Sequence, residues 1–138
     1  MIMVDTNIII DYLHGDGIFL DTIMESDEIA TCGIVYAELL HGIKSKEERR
    51  QITDAVNEFH WIKTNEDIWE KVGDNLNILR KNGVNIPFQD GVLATLCIQS
   101  EIPIASQDKH FLQIKKFLPA LELYEEKHYA GKDKFPLK

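Results

Sequence analysis

Short unbroken apolar runs alternate along this chain with stretches where apolar residues recur every three or four positions. The opening Met-Ile-Met-Val (1–4) has no polar alternation, which predicts a strand buried on both faces. Further strands are expected at 28–32, 61–64 (a weak one), 102–106 and 120–124. Between them the period changes to that of helices. Thr-Asn-Ile-Ile-Ile-Asp-Tyr-Leu, from 6, opens a helix with Thr6 or Asn7 as its cap. Residues 18–25 place Phe19, Leu20, Ile23 and Met24 at helical spacing, and 34–43 are helical. Ile52, Ala55, Val56 and Phe59 share one face of 45–60. Ile68, Val72, Leu76 and Leu79 form a stripe along 66–82, closed by Gly83. Helices are also expected over 87–99, with Pro87 at the entry, and over 109–117. Residues 125–138 are polar, carry Gly131 and Pro136, and read as a tail beyond a domain spanning 1–124.

Alternating strands and helices predict an α/β sandwich around a mostly parallel sheet. In such folds the crossovers are right-handed, and sites form beyond the carboxyl ends of strands where strand order reverses. With 138 residues, 44% of them hydrophobic and 28% charged, the chain suits one globular domain. No apolar run approaches the roughly 18 residues of a membrane span, and the start lacks the basic segment of a signal peptide. Cys32 and Cys97 sit among apolar neighbours outside any CxxC pair, so reduced, buried thiols in a cytoplasmic protein are expected. A net charge of −8 argues against a duplex-DNA binder with a large basic surface. It leaves room for a nucleic-acid enzyme whose acidic metal ligands lower the total, and for a basic partner.

Four carboxylates occupy telling places. Asp5 ends the first strand, Asp108 follows the 102–106 strand, Glu38 interrupts the apolar string 34–40, and Asp90 lies in the first turn of its helix. Singly, each has a plain explanation. Asp5 and Asp108 could cap helices, Asp90 could complement a helix dipole, and Glu38 could be partly exposed. Together, if their elements start at one sheet edge, they would repel unless protonated or bound to a cation. Oxygen ligands in that number suit Mg²⁺ or Mn²⁺. The sequence has no Cys/His cluster at zinc spacing, no P-loop or GxGxxG, and no serine nucleophile elbow.

Four stretches in order, MVDTNIIIDYL (3–13), GIVYAELLHGI (33–43), IPFQDGVLATL (86–96) and IPIASQDKHFLQI (102–114), resemble the PIN-domain nucleases. The nearest resemblance is to the VapC toxins of bacterial and archaeal toxin–antitoxin pairs, and it covers about residues 1–124. It implies a three-layer α/β/α sandwich in which Asp5, Glu38, Asp90 and Asp108 are the acidic metal-binding and catalytic set, with Thr6 and Ser106 as polar supports. Asp5 and Asp90 would be direct ligands of Mg²⁺ or Mn²⁺. Glu38 would hold a second ion or orient water, and Asp108 would act through water. Ser106-Gln107-Asp108 departs from the family's usual Thr-x-Asp but keeps the hydroxyl; Gln107 stands where the family often has a charge. The implied reaction is hydrolysis of RNA, transfer RNA among the substrates, by a homodimer that a cognate antitoxin neutralises.

Lys44, Lys46, Arg49 and Lys109 are candidate RNA-backbone contacts, against the plainer reading of solvated helix starts. His110 could touch phosphate, His41 reads as structural or solvent-facing, and Trp61 and Trp69 as packing residues. Three rival functions stand beside the toxin. One is an RNA-maturation nuclease outside a toxin module. The second is a phosphoryl-transfer domain, although Asp5-Thr6-Asn7 lacks the second acid of the D-x-D pattern. The third is a non-catalytic binding module.

Overall fold

In the computed structural model, which describes residues 1–124, the opening apolar run becomes strand β1 (Ile2–Val4), with all three residues buried. The expected polar tail lies outside the described residues. Helices α1 (Thr6–Leu13) and α2 (Ile18–Ser26) follow, then β2 (Ile29–Thr31), α3 (Gly33–His41) and α4 (Lys46–Asn57). The second half runs through β3 (His60–Trp61), α5 (Ile68–Lys81), α6 (Phe88–Ser100), β4 (Ile104–Ala105) and α7 (His110–Phe117). The four strands are parallel, in the order β3-β2-β1-β4. β1, β2 and β4 are buried throughout, so helices cover both faces of the sheet, as the alternating pattern predicts.

The chain moves outward from β1 through β2 to β3, then crosses back to lay β4 on the other side of β1. The order therefore reverses between β1 and β4. Register pairs Met3 with Ile104 and Val4 with Ala105. The Asp5 amide extends the ladder, donating to the Ala105 carbonyl at 2.9 Å. Asp5 and Ser106 thus leave adjacent strands side by side.

α6 is the most deeply set helix, with every residue from Asp90 to Cys97 buried. Gly91 lets α5 come close: a Cβ there would stand 2.5 Å from Leu76 Cδ2. The Thr95 hydroxyl closes this seam, donating to the Gly91 carbonyl at 2.8 Å and accepting from Asn75 Nδ2 at 3.0 Å.

Three local expectations need correction. The cap of α1 is Asp5 itself, in an extended conformation with Oδ1 accepting from the Thr6 amide at 2.7 Å, not Thr6 or Asn7. Residues 120–124 form no full strand; Leu123 makes a single parallel bridge to Ile104 at the sheet edge. β3 is two residues long rather than four. The end of α5 follows expectation: Gly83 has φ +78°, and the Gly83 and Val84 amides return to the Arg80 and Leu79 carbonyls. Cys32 and Cys97 are free and buried.

Candidate active site

Asp5 is placed by the end of β1, and only 6% of it is exposed. Both its oxygens are engaged. Oδ1 takes the Thr6 amide, and Oδ2 accepts the Ser106 hydroxyl at 2.6 Å. Burial pushes its carboxyl up to about 6, against the lowering effect of those two bonds, and the negative charges of Asp90 and Glu38 push it further. Glu38, half-buried on α3, is held from the same turn: the Thr6 hydroxyl donates to its Oε1 at 3.0 Å. Thr6 thereby links two acids, one through its backbone and one through its side chain.

Asp90, in the first turn of α6, is buried too. Its carboxyl is raised above the ordinary range by burial, opposed by a bond to His110 and assisted by the charges of Asp108 and Glu38. Asp108 follows β4. Its amide donates to the Ser106 Oγ at 2.9 Å, so one serine hydroxyl connects Asp5 and Asp108. Asp5 feels Asp90 and Glu38, and Asp90 feels Glu38 and Asp108. The four acids singled out in the sequence, carried by four different elements, form one electrostatic group at the carboxyl edge of the sheet, beside the β1/β4 reversal.

His110 is the member whose role sequence reasoning understates. Its Nδ1 lies 2.8 Å from Asp90 Oδ2 and 3.1 Å from Asp108 Oδ1. Its amide donates to Asp108 Oδ1 at 2.9 Å. The available signal is the Asp-Lys-His spacing at the start of α7, which leaves the ring free to fold back over Asp108. Gln107 is buried and turned away, donating from Nε2 to Asp11 on α1 at 2.7 Å. Lys44, Lys46, Arg49 and Lys109 are exposed at the starts of α4 and α7. His41 is exposed, as expected. Trp61 packs edge-to-face on Tyr36 and donates to the Val56 carbonyl while staying partly exposed, whereas Trp69, expected to pack, is exposed instead.

The donor set fits a divalent cation. An oxygen from each of Asp90 and Asp108 and a nitrogen of His110 lie within 4.8 Å of one another. Two partly desolvated acids with raised pKa values stand in the same group, and a cation relieves that strain where protonation otherwise must.

The comparisons with known proteins agree with this architecture. No curated protein matches the sequence. Among solved structures, the chain is 25% identical to one described as VapBC2 from Rickettsia felis bound to a DNA fragment from their promoter, with a TM-score of 0.73 over 90% of this chain and 98% of that one. It is also 25% identical to VapBC-1 from nontypeable Haemophilus influenzae, with a TM-score of 0.74 over 92% and 99%. VapBC-5 from Mycobacterium tuberculosis, described as a member of the VapBC family of toxin–antitoxin systems, shares the fold at 18% identity and a TM-score of 0.65, over 88% and 94%. The PIN domain family model matches residues 2–117, within which Asp5, Glu38, Asp90 and Asp108 all fall, and the chain belongs to the PIN domain family.

Proposed function

We propose that this protein is a divalent-metal-dependent endoribonuclease, the toxin of a VapBC-type toxin–antitoxin pair, working in the cytoplasm. One observation carries the reading: four carboxylates from four elements of a PIN-family chain converge beside the strand-order reversal. Asp5 and Asp90 would hold Mg²⁺ or Mn²⁺, with Glu38 and Asp108 completing the acidic set. When bound, the cation supplies Lewis-acid stabilisation of the charge that builds on a scissile phosphate. The chain's own groups do the positioning. Ser106 and the Thr6 amide fix the Asp5 carboxylate in one orientation. The Thr6 hydroxyl holds one oxygen of Glu38, leaving the other to orient an attacking water. Lys44, Lys46, Arg49 and Lys109 are the proposed contacts to the RNA backbone. A single-stranded loop, as in transfer RNA, suits such a site because its backbone can be splayed.

The solved relatives' descriptions support a cognate antitoxin as partner. The surface supports it too. Ile10 and Tyr12 on α1 and Ile18 and Met24 on α2 remain exposed. A cleft of about 260 Å³ lined by Ile8, Asp11, Phe19, Leu20 and Gln107 opens beside them. A homodimer is part of the same proposal. The deciding experiment is cleavage of total RNA with Mg²⁺ or Mn²⁺ by wild type and Asp5→Asn. Metal-dependent fragments from wild type alone are expected. Equal cleavage by both proteins, or none by wild type at saturating metal, refutes the reading.

A further inference from the structure

The imidazole of His110 presents a puzzle that the four acids alone do not resolve. Its Nδ1 faces two carboxylate oxygens, Asp90 Oδ2 at 2.8 Å and Asp108 Oδ1 at 3.1 Å. A lone pair on Nδ1 aimed at two oxygens would be repelled by both. A hydrogen on Nδ1, as one neutral tautomer provides, a proton on a carboxyl oxygen, or a metal ion bound to all three atoms would each relieve this. A hydrogen on Nδ1 serves one of the two oxygens well and leaves the second contact weaker. On a neutral ring that hydrogen brings no charge to offset the four acids.

We propose that His110 Nδ1 adds a nitrogen ligand to the acidic metal site, beside Asp90 and Asp108, so that this protein favours first-row transition dications such as Mn²⁺ over Mg²⁺. The spacing supports it. Ligands at about 2.1 Å from a cation in octahedral geometry stand about 3.0 Å apart when adjacent and about 4.2 Å apart when opposite. The two distances from Nδ1, which are also hydrogen-bond lengths, fall near the adjacent spacing, and all three donor atoms lie within 4.8 Å of one another, within reach of one cation. The ring is also anchored from below, because the His110 amide bonds to the same Asp108 oxygen and fixes the backbone under the side chain. Mg²⁺ is matched to oxygen donors, whereas imidazole nitrogen favours the transition metals. Mn²⁺ is the weakest binder of that series, so a preference seen with it is a lower limit for the others.

The proposal deepens the reading of the protein as a metal-dependent nuclease, but its test uses MnCl₂ and MgCl₂ without RNA, so the two can fail separately. The Mn²⁺-loaded protein is probed by pulsed electron paramagnetic resonance for ¹⁴N modulation, and both ions are titrated calorimetrically into wild type, His110→Gln and Asp90→Asn. Expected are ¹⁴N modulation in wild type, its loss in a His110→Gln protein that still binds Mn²⁺, and a Mg²⁺-to-Mn²⁺ ratio of Kd values that falls about tenfold in that variant. The ratio matters because removing the ring changes the repulsion felt by both ions alike, while only the nitrogen discriminates between them. Asp90→Asn should weaken both ions. Mn²⁺ bound without nitrogen modulation, modulation that persists in His110→Gln, an unchanged ratio, or no Mn²⁺ binding by wild type each overturns the proposal. Activity in the RNA assay does not rescue it, and absence of activity does not refute it.

Discussion

The Ser106 hydroxyl donates to Asp5 Oδ2 at 2.6 Å across 101 positions of sequence, and accepts the Asp108 amide at 2.9 Å. One fully buried oxygen therefore ties the end of β1 to the loop after β4. Ser106→Ala is expected to leave two polar groups short of a partner and to cost about 1–3 kcal/mol of stability. Urea denaturation in EDTA measures it. A loss below about 0.5 kcal/mol, the usual scale of a neutral surface change, would mean the hydroxyl is not holding the two strand ends together.

Stability of the metal-free protein should fall as pH rises. The Asp5 carboxyl titrates at about 6 in the native state against 3.8 for the free side chain. Between those values the native state keeps a proton that the unfolded chain has lost. Raising the pH through this window therefore favours unfolding, by an amount on the order of 3 kcal/mol once pH 7 is reached. Below pH 4 the penalty is absent. Asp5→Asn removes the titration, so its stability relative to wild type should climb between pH 4 and 7. Parallel pH profiles for the two proteins would contradict the raised value.

A bound cation should reverse that penalty. Binding only the native state at 100 times Kd adds about 2.7 kcal/mol, which for a chain of this size corresponds to a melting rise of roughly 5–10 °C. Thermal scans in EDTA and in excess MnCl₂ are the comparison. Asp90→Asn should melt no lower than wild type in EDTA, since repulsion falls, and should lose most of the rise. A rise of equal size in both proteins would place the ion elsewhere.

Cleavage should depend unequally on the acids. Asp5→Asn and Asp90→Asn keep side-chain size and are expected to lower the RNA cleavage rate by about 10²-fold or more, the scale of losing one electrostatic stabiliser. Asp108→Asn should retain more activity, above all with Mn²⁺. Single-turnover rates, with circular dichroism to confirm folding, make the comparison. A folded Asp5→Asn protein cutting at the wild-type rate would reduce that carboxylate to a helix cap.

Two helix ends offer a control remote in chemistry from the acids. Glu101 ends α6 with φ +57° and ψ +43°, a left-handed conformation that disfavours a Cβ, whereas Gly83 ends α5 in the same region at no such cost. Glu101→Gly is expected to stabilise by about 0.5–1 kcal/mol, and Gly83→Ala to destabilise by about 1 kcal/mol. Denaturant midpoints with unchanged slopes would report both. Shifts of the same sign would contradict the assignment.

Much of the architecture is legible in the sequence because burial writes itself as pattern. The unbroken run before Asp5 and the stripe from Ile68 to Leu79 each lead to the right element, and the acid at the end of the first strand points to the sheet edge where the four carboxylates gather. Single residues at element boundaries are less legible. Thr6 reads as the cap because hydroxyl residues often cap helices; instead Asp5 caps α1 and Thr6 turns its hydroxyl to Glu38. Residues 120–124 have a strand's apolar content, but they meet the sheet in a single bridge at Leu123, where the Glu122 carbonyl and the Tyr124 amide bond to Ile104. His110 reads only as a possible phosphate contact, because no periodicity reports that a first-turn side chain folds back onto Asp90 and Asp108.

The crossing that brings β4 beside β1 also sets when the acidic group can exist at all. Asp5 emerges first during synthesis, whereas Asp90, Ser106, Asp108 and His110 come from the last third of the domain, and a contact of such sequence separation forms only after a long loop has closed. A chain that ends just before β4 carries Asp5, Glu38 and Asp90 but lacks Ser106, Asp108 and His110. The complete cluster therefore forms only once β4 and the start of α7 have been made, and a product truncated before them lacks it.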